Sequence, residues 1–330
     1  MTTGAGSALR VSVVVPTYRR PELLTRCLAA LGRQDLPPSR YEVVVADDGG
    51  GDAVAVVERA ARDVPMLVRC VVVTGRRGPA AARNTGWRAA RGPIIAFTDD
   101  DCVPEAAWLS AGLAAFAADV GRLVGVQGRV LVPRPRCPTD HERNTAGLED
   151  AEFVTANCFC RRDALEAVGG FDETFPKAWR EDSDLFFTLL ERGGRFARAP
   201  RAVVIHPVRA ARWGVSIGEQ RKSMYNALLY KKHPMLYRER IQRHAPWTSY
   251  ATAAALLCAL GAGVGGFAAT TAVAGGVWTA LTARVCRKRL TGTAHTADHV
   301  AEMIVTSALI PSLSVFWRLR GALRYRVVFF

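Results

Sequence analysis

Short apolar runs alternate with helix-forming segments over the first hundred residues of the chain. Four runs rich in apolar and β-branched residues span residues 11–15, 41–46, 67–73 and 93–98. Pro16 is expected to stop the first of them. Leucines at helical spacing follow Pro21, and the segment 79–91 is rich in helix formers. This alternation of strand and helix predicts an α/β fold with a mostly parallel, doubly wound central sheet.

Carboxylates directly follow two of these predicted strands. Asp99, Asp100 and Asp101 come after the fourth strand, and Asp47 and Asp48 come after the second. In open α/β sheets, ligands bind beyond the carboxyl ends of the strands. Adjacent carboxylate oxygens suit Mg²⁺ or Mn²⁺, which also bind substrate phosphates. The pattern predicts a divalent-cation site at this edge of the sheet, with solvated acidic turns as the alternative.

The next hundred residues predict further elements around the same sheet. Strands are expected over residues 123–132 and 153–160, separated by a surface loop rich in proline and arginine over 133–138. Short helices are expected over 164–168 and 184–191. Glu181, Asp182 and Asp184 lie at the start of the second helix, where they act either as favourable charges at its amino end or as part of a site.

The character of the chain changes near residue 243. No charged side chain occurs from residue 245 to 283, which exceeds the roughly 20 apolar residues needed to cross a bilayer. Glycines at 261–266 leave two alternatives, one tilted span or a tight hairpin, and basic residues on both flanks favour the hairpin if both flanks are cytosolic. Residues 303–317 predict an interfacial helix followed by a basic tail. A buried helical layer of a soluble protein is the remaining alternative.

Net charge and cysteine content indicate which classes of binding partner and cofactor to expect. The formal net charge of +14 favours an anionic partner, such as a phosphorylated substrate or an acidic membrane face. Nucleic acid is not expected, because no helix-turn-helix, zinc or aromatic-stacking pattern is present. The eight cysteines form no CxxC pair, so zinc and redox functions are not indicated. Residues 1–9 are small and polar and do not resemble a secretory signal, so the folded domain is expected to stay in the cytosol.

Six motifs occur in order over residues 10–207. They are Val13-Val14-Val15-Pro16-Thr17-Tyr18-Arg19-Arg20, Val45-Ala46-Asp47-Asp48-Gly49, Ala81-Ala82-Arg83-Asn84-Thr85-Gly86, Phe97-Thr98-Asp99-Asp100-Asp101, Val168-Gly169-Gly170-Phe171-Asp172-Glu173 and Glu181-Asp182-Ser183-Asp184-Leu185. The ordered set resembles the family-two glycosyltransferases, which are inverting enzymes of the GT-A fold, and many such enzymes carry membrane-associated helices after the catalytic domain. The resemblance implies a catalytic domain over residues 1–207, a basic helical connector over 208–244 and a membrane-associated region over 245–330.

The resemblance also implies a role for each matching residue. The nucleotide-sugar would be bound by Pro16, Thr17, Tyr18, Asp48, Arg83, Asp99 and Asp100, with Asp99 facing the ribose and Asp100 in the variable middle position. Asp101 would hold the divalent cation, Mg²⁺ or Mn²⁺, with His206 nearby. Asp182 would be the general base, supported by Glu181 and Asp184.

The expected function is inverting transfer of a sugar from a nucleotide-diphospho-sugar to a hydroxyl of a saccharide or lipid-linked acceptor, in envelope polysaccharide or glycolipid synthesis. The enzyme would lie at the cytoplasmic membrane with its catalytic domain in the cytosol. Gln220-Arg221-Lys222 lacks the tryptophan and the spacing of the element found in processive synthases, so processive transfer is not expected. The alternatives are a sugar-phosphate nucleotidyltransferase and a membrane-bound scaffold that binds the donor without turnover.

Overall fold

The chain divides into two compact units. The computed structural model describes residues 9–119 and 123–329. One unit comprises Met1–Pro133 with Ala146–Val208 and is named the catalytic unit after the role that the family resemblance implies for it. The other, named the helical unit, comprises Arg134–Thr145 with Arg209–Phe330. The division after Val208 lies next to the domain boundary expected at residue 207. Arg134–Thr145, by contrast, groups with the carboxy-terminal residues although it falls within the segment expected to be catalytic.

Eight strands are described, and all belong to one sheet in the catalytic unit. They are β1 Val11–Thr17, β2 Tyr41–Asp47, β3 Leu67–Val72, β4 Ile94–Phe97, β5 Val103–Pro104, β6 Leu123–Leu131, β7 Cys158–Arg161 and β8 Arg195–Ile205. Their order across the sheet is β3-β2-β1-β4-β7-β6-β8-β5. Strands β7 and β5 run opposite to the other six, which confirms the mostly parallel sheet. The carboxyl ends of β1, β2, β4 and β8 therefore lie at the same edge.

Thirteen helices are described within the same residues. They are α1 Pro21–Leu31, α2 Val54–Asp63, α3 Pro79–Ala89, α4 Trp108–Ala118, α5 Asp140–Ala146, α6 Arg162–Val168, α7 Glu181–Glu191, α8 Val215–Glu219, α9 Met224–Lys232, α10 Pro234–Leu236, α11 Trp247–Val264, α12 Ala268–Leu290 and α13 Ala297–Tyr325. Short 3₁₀ turns occur at Pro38–Arg40, Gly147–Glu149 and Gln220–Ser223, and a π-helical turn at Tyr237–Ile241.

The core of the catalytic unit requires close contact between α3 and the sheet. A side chain at Gly86 would place its Cβ 2.4 Å from Cγ1 of Val14, so only glycine allows this approach. Buried valines of β1 and β2 and the apolar face of α1 fill much of the core. The tight packing fixes the position of α3, whose buried polar residues then reach the carboxyl edge of the sheet.

Three local predictions for the catalytic unit were wrong. Strand β1 does not stop at Pro16 but continues to Thr17. Strand β4 pairs with β1 only as far as Val14, so the N–H that Pro16 lacks is not needed for a bond to β4. The strand predicted to begin at residue 153 begins at Cys158, because the N–H of Val154 donates to the side chain of Gln127. Helix α7 begins three residues early, at Glu181.

The helical unit contains a helical hairpin and one long helix. Helices α11 and α12 contact each other and are separated by a break at residues 265–267, where Gly266 has a φ of +80°. The 245–283 segment is thus a hairpin rather than one continuous helix. Helix α12 continues beyond it to Leu290 and ends in a basic turn.

The prediction of a short interfacial helix over residues 303–317 was wrong in length. Helix α13 runs for 29 residues, from its cap at Thr296, whose side chain accepts from the N–H of His299, to Tyr325. Arg318, Arg320 and Arg324 therefore lie within the helix rather than in a tail. By length and composition, α11 and α13 are both long and apolar enough to cross a membrane.

Candidate active site

The acidic segment after β4 and the residue after β8 meet at the carboxyl edge of the sheet. Oδ1 of Asp101 lies 3.6 Å from Nε2 of His206, although the two residues are far apart in sequence. The sheet topology explains this proximity, because β4 and β8 run in the same direction. The family resemblance implied that His206 lies near the cation held by Asp101, with a structural histidine as the alternative, and the two side chains are close together in the structure.

The three consecutive aspartates after β4 have different environments. The carboxylate of Asp100 is buried; it accepts hydrogen bonds from Oγ1 of Thr17 at 2.8 Å and from Arg20 at 3.1 Å. Burial raises the pKa of Asp100, although Thr17 and Arg20 oppose the shift. Asp99 is the most exposed of the three, with 27 % of its side chain accessible. Asp100 and Thr17 thus hold β4 and β1 together at this edge, which sequence reasoning did not distinguish from ligand binding.

The residues around Asp101 suit a divalent cation. Ligand atoms of Asp101, Cys102 and His206 all lie within 4.8 Å of one another. Nδ1 of His206 is buried and has no hydrogen-bond partner among the described residues. In the absence of a cation, burial raises the pKa of the Cys102 thiol well above its usual range. Sulfur is a soft ligand that suits Mn²⁺ and Mg²⁺ less well than oxygen does. The carboxylate of Asp101 fits either ion, and the imidazole of His206 fits the transition metal Mn²⁺ better than Mg²⁺.

Arg83 joins the strand carboxylates to those at the start of α7. Its guanidinium is buried and donates to Asp99 at 2.8 Å and to Glu181 at 2.9 Å. Burial alone would lower the pKa of Arg83, but the charges of Asp99 and Glu181 raise it further above its usual value. Arg83 is therefore a cation held between two parts of the site, and its Nε is buried without a hydrogen-bond partner among the described residues.

The first turn of α7 carries two coupled carboxylates. Burial and the neighbouring charge of Asp182 raise the pKa of Glu181 to about 7, despite the opposing charge of Arg83. Burial also raises the pKa of Asp182, although the N–H of Ser183, which donates to its Oδ1 at 2.6 Å, opposes the shift. The side chain of Asp182 is partly exposed, whereas Glu181 and Asp184 are buried. Asp182 is thus the carboxylate of this turn that is open to a substrate.

Asp48, directly after β2, also has a buried carboxylate. Oδ2 of Asp48 accepts from the N–H of Gly78 at 2.8 Å, while its Oδ1 is buried without a hydrogen-bond partner among the described residues. The N–H of Asp48 donates to the carbonyl of Thr17, which places it beside the end of β1. Tyr18 is half exposed there, and Pro16 is partly buried. Asp47, in contrast, accepts from three N–H groups of the following turn and shapes the backbone.

Sequence reasoning assigned no role to Asn84, which anchors the loop before α7. Its amide donates to the carbonyl of Phe171 and to Glu173, both at 2.8 Å, and its Oδ1 accepts from Trp87 and from the N–H of Phe171. Gly170 has a φ of +82°, and a Cβ there would lie 2.5 Å from Oδ1 of Asn84. Asn84 lies in one of the six motifs on which the family resemblance is based. Its place in that motif is the sequence signal from which its importance could have been inferred.

Comparison with known proteins identifies the family. The model of the family "Glycosyl transferase family 2" matches residues 12–169, and that of "Glycosyl transferase family group 2" matches residues 141–286. Glycosyltransferase AglE of Haloferax volcanii is 31 % identical over 210 residues, which cover 60 % of this chain and 67 % of AglE. The chain belongs to glycosyltransferase family 2.

Other relatives of this family-2 glycosyltransferase cover similar parts of it. Succinoglycan biosynthesis protein ExoM of Rhizobium meliloti is 31 % identical over 61 % of this chain and 67 % of ExoM. The pre-mycofactocin glycosyltransferase of Mycobacterium tuberculosis is 32 % identical over 59 % of this chain, which spans only 42 % of that protein. These homologues support sugar transfer from a nucleotide-sugar donor.

A solved structure supports the fold of the transferase. Mannosyltransferase PcManGT from Pyrobaculum calidifontis, determined in complex with GDP-Man and Mn²⁺, aligns with a TM-score of 0.59 at 21 % identity. The alignment covers 96 % of this chain and 87 % of PcManGT. The GT-A fold predicted from the sequence is therefore confirmed.

Proposed function

We propose that the chain catalyses metal-dependent, inverting transfer of a sugar from a nucleotide-diphospho-sugar to an acceptor hydroxyl. The observation that carries the proposal is the arrangement at the carboxyl edge of the sheet. There Asp101 lies 3.6 Å from His206, and Arg83 connects Asp99 to the turn that contains Asp182.

Asp101 and His206 are the residues that would hold the cation. The carboxylate oxygen of Asp101 suits Mn²⁺ or Mg²⁺, and the imidazole nitrogen of His206 favours Mn²⁺ of the two. The Mn²⁺ complex of PcManGT is consistent with use of such an ion. The chemistry that the ion supplies is stabilisation of negative charge on the departing diphosphate.

Asp182 is the proposed general base. The acceptor hydroxyl gives its proton to the carboxylate of Asp182 as its oxygen attacks the anomeric carbon, and the bond from that carbon to the diphosphate oxygen breaks with its electron pair on the diphosphate. A single displacement of this kind inverts the anomeric configuration. Glu181 and Arg83 position the turn, and Asp184 supports it from its buried place in α7.

The nucleotide is proposed to bind at the ends of β1 and β2. The unpartnered Oδ1 of Asp48 is an acceptor suited to an N–H of the base, and the half-exposed ring of Tyr18 lies at the end of the adjacent strand. Asp99, the most open of the three aspartates, is suited to the ribose hydroxyls. Pro16 and Thr17, at the end of β1, are proposed to contact the nucleotide beside these groups, and Asp100 holds Thr17 in place by accepting from its hydroxyl.

The proposed acceptor is lipid-linked or membrane-proximal, in envelope polysaccharide or glycolipid synthesis. Two observations favour it: helices α11 and α13 have the length and composition of membrane spans, and the relative ExoM is named a succinoglycan biosynthesis protein. The basic flanks of the apolar segment favour a cytosolic catalytic unit at the cytoplasmic membrane.

The decisive test is hydrolysis of UDP-, GDP- and dTDP-sugars by detergent-solubilised protein with Mn²⁺, Mg²⁺ or EDTA. We expect release of one nucleotide, loss of release in EDTA, and a fall of at least about 10³-fold in Asp101→Ala. With an acceptor, NMR of the product should show the inverted anomer.

Two results would contradict the proposal. Release that EDTA and Asp101→Ala leave unchanged would remove the metal from the reaction. Donor binding without release, with every acceptor supplied, would favour the non-catalytic scaffold.

A further inference from the structure

An apolar groove lies within the helical unit, between α12 and α13. Its volume is about 800 Å³, within the range of about 300–1,000 Å³ that is typical of ligand pockets. Residues four apart on α13, Val300, Ile304 and Ala308, form one wall, and one face of the second half of α12, from Trp278 to Leu290, forms the other. Among the described residues no carboxylate lines the groove.

A basic pocket adjoins one end of the groove. The pocket has a volume of about 690 Å³ and is lined by Arg284, Arg287, Lys288 and Thr291. Arg287 and Thr291 line both cavities, so the apolar groove and the basic pocket are adjacent. A long apolar surface therefore lies beside a cluster of cationic side chains.

The cations of this pocket lack anionic partners within the chain. Across residues 9–119 and 123–329, the side chains of Arg284, Arg287 and Lys288 form no ion pair or hydrogen bond. The adjacent Arg289 differs, because its guanidinium is paired with Asp140 at 2.8 Å. Three neighbouring positive charges therefore remain available to an anion from outside the protein.

We propose that this groove binds an anionic membrane phospholipid, with an acyl chain along the apolar walls and the phosphate at Arg284, Arg287 and Lys288. A long apolar tail joined to a negative head group matches the groove and the adjacent pocket, and basic pockets between membrane helices bind such head groups. The inference rests on the membrane association proposed above and is independent of the transfer chemistry.

The test is native mass spectrometry of the full-length, detergent-purified protein. The protein is incubated with equal amounts of phosphatidylglycerol and phosphatidylcholine that carry identical acyl chains. We expect retention of phosphatidylglycerol to exceed that of phosphatidylcholine by about tenfold, because only the former has a net negative head group.

Two pairs of substitutions separate this pocket from general surface charge. Arg287→Gln with Lys288→Gln should abolish the preference for phosphatidylglycerol. Arg320→Gln with Arg324→Gln removes the same charge from α13 outside the cavity and should leave the preference intact. Ala308→Phe fills the groove and should reduce retention of both lipids.

Three results would overturn the inference. The first is equal retention of the two lipids by the wild type, and the second is an equal loss of the preference for phosphatidylglycerol in both charge variants. The third is full lipid retention by Ala308→Phe. A polyprenyl phosphate that displaces phosphatidylglycerol and receives the sugar would reassign the groove to the acceptor. Flotation with liposomes separates the two proposals: failure to float contradicts membrane association itself, whereas flotation without lipid preference contradicts only the groove. Donor hydrolysis should be unchanged in all of these variants.

Discussion

The two edges of the central sheet both bury charged side chains, but they differ in how completely these are paired. At the amino edge, Glu42 is fully buried and accepts from Ser12 at 2.7 Å, from the N–H of Arg91 at 2.6 Å and from Arg69 at 3.2 Å. Ser12 in turn accepts from the N–H of Gly92 at 2.7 Å. Both carboxylate oxygens of Glu42 are thus satisfied within the protein.

The carboxyl edge has buried polar atoms that the chain itself leaves unpaired. Among the described residues, these include Oδ1 of Asp48, Nε of Arg83, Oε2 of Glu181 and Nδ1 of His206. Unpaired buried polar groups are rare in folded proteins, and water, an ion or a ligand commonly satisfies them. Burial of charge is therefore common to both edges. Near the amino edge, Nη2 of Arg162, whose Nε donates to the carbonyl of Gly92, is also buried without a described partner. The carboxyl edge is distinguished by having several such atoms, two of them on carboxylates.

Among substitutions that test the difference between the two edges, we expect Asp182→Asn to have the largest effect on sugar transfer. The amide keeps the size of the side chain but does not accept a proton, so transfer should fall about 10²–10⁴-fold. Donor affinity and the unfolding midpoint should stay close to wild type. The measurement is steady-state transfer together with donor binding by calorimetry, and near-normal transfer by the variant would exclude Asp182 as the base.

Glu42→Gln should show the opposite behaviour. Replacing one carboxylate oxygen by an NH₂ group sets a donor against a donor in a fully buried network, and breaking a buried ion pair costs about 3–5 kcal/mol. We expect a lower urea midpoint by circular dichroism, with turnover per folded molecule unchanged below the transition. Loss of turnover at full stability would mean that the amino edge also takes part in function.

The strand and helix pattern predicted most of the catalytic unit because its strands are continuous apolar runs. It failed at residues 153–157, where the backbone is bonded to the side chain of Gln127, which no local pattern reveals. The pattern also underestimated the length of α13. The predicted helix was limited to the apolar run, although helix-forming residues continue on both sides of it.

The site was predicted only at the level of motifs. The order of the motifs indicated Asp48, Arg83, the aspartates after β4 and the turn at Asp182, and the structure brings these together. The family resemblance separated Asp100 from Asp101 only by their positions in the motif. The different environment of Asp100 depends on Thr17 and Arg20, which lie about 80 residues away. Long-range pairing of this kind follows from the register of β1 and β4 rather than from any local signal.

The smallest effect concerns the pH dependence of the carboxyl edge. The pKa of Glu181 is raised to about 7 by burial and by Asp182, so the pair takes up a proton as the pH falls through about 7. Because the base must be ionised, kcat/KM of the wild type should fall on the acid side near this pH.

In Glu181→Gln, Asp182 loses a like-charged neighbour, and its pKa should fall. The acid limb of kcat/KM should then move to lower pH, while the maximum decreases because Arg83 loses a charged partner. Glu173→Gln is the matched control: its side chain still accepts from Asn84, and the acid limb should not move. If the acid limb of Glu181→Gln stayed near pH 7, the titration would belong to another group. Glu181 would then have only a structural contact with Arg83 and would resemble Glu42 at the opposite edge.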